Sequence, residues 1–237
     1  MAIYQQIIQA KAKSQKLLAI LLDPDKLTVG NILPLIQKIN QSPATHIFVG
    51  GSSFNGNYLD ELISELKSKT NLPIVLFPGN PSQISNEADG ILFLSLLSGR
   101  NPDYLIEHQI NAVPILKKTN LEVISTGYIL IESGSETAVE RVTKTKPLDR
   151  NNAQYVLQTA QAGEYIGNQL IYLEAGSGAQ LPVPLNMITL VSKNTTVPII
   201  VGGGIRSLQE MESCYKSGAD LVVIGTAFEN DSNFFKS

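Results

Sequence analysis

The chain reads as a (β/α)8 TIM barrel with a degenerate third helix, a single domain over 1–237. Three observations predict it: eight short apolar runs, helical patterns between most of them, and glycine clusters after the last three. The runs are Leu17–Leu22, His46–Gly50, Pro73–Phe77, Gly90–Leu94, Glu122–Ile131, Leu170–Leu173, Val197–Val201 and Leu221–Ile224, bounded by Gly, Pro, Asp or Asn. Several are near-continuous Ile, Val and Leu, as in strands buried on both faces of a parallel sheet. Helical patterns occupy Asn31–Ile39, Tyr58–Lys69, Pro102–Lys117, Asn152–Tyr165, Asn186–Lys193 and Leu208–Ser217. Strands alternating with helices imply βαβ units, and eight such units close most naturally into a barrel. The main competitor, an open doubly wound sheet, needs a glycine-rich loop after its first strand. Leu22-Asp23-Pro24-Asp25-Lys26 is not one.

Two connections break the regular spacing. About a dozen residues separate Phe77 from Ile91, and Pro78, Gly79, Pro81 and Gly90 are among them. A full helix does not fit there, hence the degenerate third one. The stretch Glu132–Asn151 is long, polar and rich in Ser, Thr and Lys, and reads as a mobile flap over the site.

Composition narrows the function classes. With 237 residues, 43% hydrophobic and 16% charged, the chain has the makings of a filled core rather than of disorder. A net charge of −3 without a basic run leaves no footprint for nucleic acid. The one cysteine, Cys214, sits in a helical pattern and reads as a buried thiol. Met1 to Gln9 lacks the features of a signal peptide, and no run approaches the roughly 18 apolar residues of a membrane span. A cytoplasmic protein without stable membrane insertion is expected.

In such barrels the strand C-termini carry the chemistry, and the loops after the seventh and eighth strands often bind phosphate. Here the sixth candidate strand leads into Tyr172-Leu173-Glu174-Ala175-Gly176-Ser177-Gly178-Ala179. The seventh leads into Gly202-Gly203-Gly204-Ile205-Arg206-Ser207 and the eighth into Gly225-Thr226-Ala227. Glycine lets the backbone approach an anion and adopt positive φ, so that successive N–H groups point at phosphate oxygens. Helices starting just after Arg206 or Thr226 would add their positive ends. One such cluster is commonly a tight turn; three at consecutive strand ends predict a phosphate ester site.

Charged residues at other strand ends are candidates with structural alternatives. Asp23 is either a turn or N-cap residue or a hard oxygen ligand for Mg²⁺. Ser52 either caps a helix or supplies a second oxygen. Lys26 follows the first strand. Arg100, in Ser98-Gly99-Arg100-Asn101, either clamps a second phosphate group or is solvated. Glu174, at the exit of a buried strand, is a candidate base whose pKa burial would raise; a salt bridge to Arg206 or a lysine is its alternative. Tyr172 points the same way as Glu174 and could hold a substrate oxygen. The histidines look uninvolved, since His46 begins the second strand and His108 lies in a helix. Triad, zinc and histidine-relay chemistries therefore lack their parts, and with Lys26 after the first strand and no lysine in the sixth or seventh, a Schiff-base aldolase is poorly supported.

Taken together, Asp23-Pro24-Asp25-Lys26, Phe48-Val49-Gly50-Gly51-Ser52, the Tyr172–Ala179 string, Gly202-Gly203-Gly204-Ile205-Arg206 and Gly225-Thr226-Ala227 resemble the geranylgeranylglyceryl phosphate synthase family. The likeness runs from Leu17 to Phe228. It implies Mg²⁺-dependent transfer of a geranylgeranyl group from its diphosphate to the C3 hydroxyl of sn-glycerol 1-phosphate. The acceptor's phosphate would lie on Gly203, Gly204, Gly225, Thr226 and the Gly176-Ser177-Gly178 loop, along the segment Tyr172, Leu173, Glu174 and Ala175. Its hydroxyls would face Tyr172 and Glu174, the latter taking the proton. Asp23 and Ser52 would serve the metal, Lys26 and Arg100 the diphosphate, and an apolar groove towards strands two to four the polyprenyl tail. The resemblance also implies a homo-oligomer, a dimer or larger. Leu21 stands where some bacterial relatives carry a lysine, which sets the chain apart from the branch that can use longer prenyl chains. Two rivals use the same glycine loops: a sugar-phosphate isomerase or lyase, and a phosphometabolite sensor without catalysis.

Overall fold

Eight parallel strands close into a barrel in the computed structural model, paired in chain order with the first joined to the last. The structure describes residues 2–27, 32–51, 58–231 and 234–235. The strands are β1 (Leu17–Leu22), β2 (His46–Val49), β3 (Ile74–Leu76), β4 (Gly90–Leu96), β5 (Glu122–Leu130), β6 (Leu170–Glu174), β7 (Ile199–Gly202) and β8 (Leu221–Ile224). The helices are α1 (Ile3–Ala12), α2 (Ile32–Asn40), α3 (Leu59–Lys67), α4 (His108–Leu116), α5 (Ala138–Thr143), α6 (Ala153–Tyr165), α7 (Leu185–Asn194), α8 (Leu208–Lys216) and α9 (Thr226–Asn230).

Most strands differ at an end from the predicted runs by one or two residues, and two of the differences bear on the site. β7 begins at Ile199 rather than Val197, because Pro198 has no N–H for the ladder and contributes only its carbonyl, to Ile171. β6 extends to Glu174, which pairs with Leu130 and Gly202. The glutamate therefore sits on the sheet and not on a loop.

Side-chain alternation divides the apolar residues into two layers. Along β6, Leu170 and Tyr172 belong to the barrel interior, and Ile171 and Leu173 to the layer under the helices. α1 closes the barrel's lower end, adding Ile3, Ile7 and Ala10 to the interior cluster. Glu122, at the start of β5, holds α1 by accepting from the N–H groups of Ile3 and Tyr4. Neither α1 nor α5 was expected from the sequence, although Ile3, Ile7 and Ala10 have helical i, i+4, i+7 spacing.

The third crossover is degenerate, as expected: only a 3-10 turn, Pro81–Gln83, lies between β3 and β4. β3 pairs with β4 only at Gly90 and Ile91, so the rest of β4 has no neighbour on that side. The expected Pro102–Lys117 helix is a π-helical segment, Asp103–Glu107, followed by α4. This pair packs against β4 and the 3-10 turn, in the place of the missing helix. The expected flap contains α5, closed at its start by reciprocal bonds between Thr137 and Glu140, and a bridge from Ile131 to Leu148.

The helix layer makes a stability prediction. Leu62, on α3, is fully buried, and Leu62→Ala should cost about 2–5 kcal/mol. Urea unfolding measures it; a loss under about 1 kcal/mol would mean that α3 does not pack as described.

Candidate active site

A cavity of about 510 Å³ opens at the C-terminal ends of the strands and runs outward past β4 to the inner side of α4. Its volume lies in the range of about 300–1,000 Å³ usual for small-molecule sites. One end is glycine-rich and polar: Gly176, Ser177, Gly178, Gly203, Gly204, Gly225 and Thr226 all line it. The other end is apolar, walled by Ile84, Ile91, Phe93, Leu94, Tyr104 and Ala112, with Val139 and Val142 of α5 above.

At Gly202 and Gly203 the glycine end has room for backbone only. Gly203 has φ +80, and a Cβ there would lie 2.2 Å from Glu174 Oε1 and 2.6 Å from the Gly176 nitrogen. At Gly202 a Cβ would come within 2.5 Å of the Tyr172 hydroxyl and 2.7 Å of Glu174 Oε2. The two helix starts differ. On α8 the amides of Arg206, Ser207 and Glu210 are taken by the Glu210 and Ser207 side chains. The start of α9, after Gly225, has no side-chain cap. α8 thus engages part of its own start with its own side chains, while the start of α9 is left to other partners.

Glu174 is 5% exposed. Burial pushes its carboxyl up to about 7, against the opposing pull of the Tyr172 hydroxyl and of the Gly176 N–H, which donates to Oε1 at 2.6 Å. Among the described residues no lysine or arginine pairs with it, and Arg206 instead donates to the Ala179 carbonyl. The Tyr172 hydroxyl lies near the carboxylate and feels its charge, but it is buried without a partner in hydrogen-bond geometry. Burial, reinforced by the Glu174 charge, holds both Tyr172 and Tyr128 well above the usual phenol range. Phe77, Tyr128 and Tyr172 form an aromatic cluster, with ring centroids 5.3–5.9 Å apart.

Most of the expected residues reach this cavity, and some do not. Asp23 and Lys26 line it beside Gly51. Asp23 also caps the turn after β1, with Oδ1 accepting from the Asp25 amide, while Oδ2 lies 3.7 Å from Lys26 Nζ. Lys26 also approaches Glu229 at 3.3 Å. Ser52 lies outside the described residues. Leu173 and Ala175 do not line the cavity; strand alternation turns both into the helix layer. Arg100 must be reassigned. Its guanidinium donates to the Leu97 and Gly99 carbonyls and to the Tyr155 hydroxyl, in a separate surface cleft. His108 lies in a helix, as expected, and that helix brings it to the apolar end of the cavity, edge-on to Tyr104 at 4.7 Å. His46 is buried at the N-terminal end of β2, where burial lowers its pKa to about 4.

Sequence reasoning passed over Tyr128, Phe77 and the wall residues of α4 and α5. Tyr128 pairs directly with Tyr172 across β5 and β6, a neighbourhood created by strand register that residue order does not show.

Glu174 makes a pH prediction. The folded carboxyl keeps its proton up to about 7, against 4.5 for the unshifted group. The stability this proton contributes is fully present below about 4.5 and is lost as pH rises through about 7. Glu174→Gln should flatten the pH dependence of unfolding in that window, and an unchanged slope would contradict the assignment.

Comparison with known proteins agrees with this geometry. Residues 8–236 match the PcrB family. Geranylgeranylglyceryl phosphate synthase of Flavobacterium johnsoniae is 68% identical over 99% of this chain and 97% of its own length. The synthase of the same name from Zunongwangia profunda is 50% identical over 96% and 97%. Among solved structures, (S)-3-O-geranylgeranylglyceryl phosphate synthase of Thermoplasma acidophilum, in complex with its substrate sn-glycerol-1-phosphate, superposes with a TM-score of 0.92. It is 32% identical, with all of this chain and 95% of that one covered. With a match over nearly its whole length and relatives this close, the chain belongs to the PcrB family, together with these geranylgeranylglyceryl phosphate synthases.

Proposed function

We propose that this chain transfers a geranylgeranyl group from geranylgeranyl diphosphate to the C3 hydroxyl of sn-glycerol 1-phosphate, releasing diphosphate. The observation that carries this reading is one cavity with a polar glycine end, an apolar end and a buried carboxylate of raised pKa. The phosphate ester would take the glycine end, and the tail would lie between β4, α4 and α5. A sugar-phosphate isomerase or a phosphometabolite sensor would have no use for the apolar half.

Bond by bond, the ester oxygen leaves prenyl C1 with its electron pair as diphosphate. The acceptor's C3 oxygen bonds to C1, and its proton passes to the Glu174 carboxylate. A pKa near 7 suits that task, because the base is substantially ionised near neutral pH and still strong enough to take the proton. The rings of Phe77, Tyr128 and Tyr172 present π-faces that favour positive charge developing on the allylic carbon. Their packing also excludes water, which would otherwise compete with the glycerol hydroxyl.

Mg²⁺ is part of the proposal. Asp23 offers a hard carboxylate at the cavity wall, and Mg²⁺ needs only one or two such groups beside water and phosphate oxygens. Among the described residues no cluster of three or more ligands exists, so the remaining ligands would have to be water and phosphate oxygens. When bound, the ion would neutralise charge on the diphosphate. Asp23 would hold it, and Lys26 would contact the same group.

Two substitutions test this reading in an assay with sn-glycerol 1-phosphate, Mg²⁺ and radiolabelled geranylgeranyl diphosphate. Glu174→Gln should lower turnover about 10²–10⁴-fold with acceptor binding retained; wild-type turnover would remove Glu174 as the base. Asp23→Asn should raise the Mg²⁺ concentration for half-maximal activity several-fold, and an unaltered titration would exclude it as the metal ligand. No ether-linked product from the wild-type protein would overturn the function itself.

A further inference from the structure

The helical segment over the apolar end of the cavity has a second apolar face. Tyr104, His108 and Ala112 turn inward. Ile106, Ile110 and Val113 stand 55%, 54% and 41% exposed, at the i, i+4, i+7 spacing of one helix face. A helix apolar on both sides is ordinarily buried on both, so this stripe calls for a partner.

The charges at the two ends of the stripe indicate which partner. At its N-terminal end, Arg100, Lys144 and Lys146 line the surface cleft between the loop after β4 and the connection from α5 to α6. None of the three is ion-paired among the described residues. Arg100 is held in place by the Leu97 and Gly99 carbonyls. Lys144 ends α5 at φ +54, a left-handed position that favours Gly or Asn. The cleft and the stripe are tied together: Asn101 donates to the Thr143 carbonyl and the Tyr104 hydroxyl to that of Val142. At the far end, Lys117 and Lys118 follow α4. Asp103 and Glu107 are acidic groups of the same segment, and Glu107 accepts from Asn111. They leave a surplus of positive charge at both ends.

We infer that this face docks peripherally on an anionic lipid bilayer, with Ile106 and Ile110 at the acyl boundary and Lys144 and Lys146 against lipid phosphates. Such a stripe, flanked by cations, is the pattern of interfacial helices. A second copy of the chain is a poorer occupant, because packing two stripes together in either orientation opposes basic ends. The inference rests on the prenyltransferase reading, since both the polyprenyl diphosphate and the product partition into membranes. α4 then has the tail cavity on one side and the bilayer on the other, so the tail crosses little water.

Sedimentation of the full chain with vesicles tests the inference independently of catalysis. Wild-type protein should bind vesicles of phosphatidylglycerol and phosphatidylcholine far better than phosphatidylcholine alone, and salt should release it. I106E/I110E and K144E/K146E should each weaken partitioning at least about tenfold. Both should keep their turnover on detergent-dispersed geranylgeranyl diphosphate, which also shows that they fold. If the apolar pair does not fold, the lysine pair carries the comparison. The inference is overturned if wild-type protein ignores anionic vesicles or if the folded variants partition like it. It is also overturned if I106E/I110E changes the assembly state without lipid, because a second copy then covers the face. Transfer activity without vesicle binding would leave the enzymatic reading intact, whereas vesicle binding without transfer would remove it.

Discussion

The stretch 77–89 is too short and too rich in proline and glycine to cross back over the sheet as a helix, and much of the molecule follows from that. A parallel barrel needs an apolar layer outside every strand, so a crossover reduced to a 3-10 turn leaves the outer face beside β4 to be covered from elsewhere. The π-helical segment and α4 lean across to cover it, and α5 comes down from above. The space that remains is the apolar half of the cavity, which makes this half a by-product of how the chain fails to complete a regular barrel.

The other half obeys a different constraint. Glu174 is the last residue of a fully buried strand, and its carboxylate crowds two successive glycine positions. The group is buried and is held by one backbone amide, with the Tyr172 hydroxyl close by, rather than by a counter-charge. A base kept in this way holds its raised pKa without an ion pair that substrate binding would have to break. The aromatic cluster joins the two halves, with Phe77 from the truncated crossover and Tyr172 two residues before Glu174.

Much of this was legible in the sequence because parallel strands announce themselves as apolar runs and glycine clusters mark their active ends. Asp23, Lys26, Glu174 and the glycine loops were found that way. Arg100 misled for a physical reason: it follows a strand end, as a phosphate clamp would, but nearby carbonyls capture its guanidinium, and spacing cannot show that. Leu173 and Ala175 belonged to the right motif and faced the wrong way, because a two-residue period sends alternate side chains outward. α1 and α5 were missed because one precedes the repeating pattern and the other interrupts a polar stretch. Tyr128 was missed because strand pairing, not sequence proximity, brings it beside Tyr172.

The glycine end has almost no side chains. Gly203 and Gly204 have left-handed backbones, and Gly202 and Gly203 leave no volume for even a methyl group. Alanine scanning can therefore say little about this wall, since replacing its residues adds atoms instead of removing an interaction. Variation there is constrained by space at Gly202 and Gly203 and by left-handed backbone at Gly176, Gly178, Gly203 and Gly204, so any drift in acceptor preference has to come from side chains facing the wall, such as Tyr172 and Ser177. The wall that contributes fewest chemical groups is thus the one with the least freedom to change.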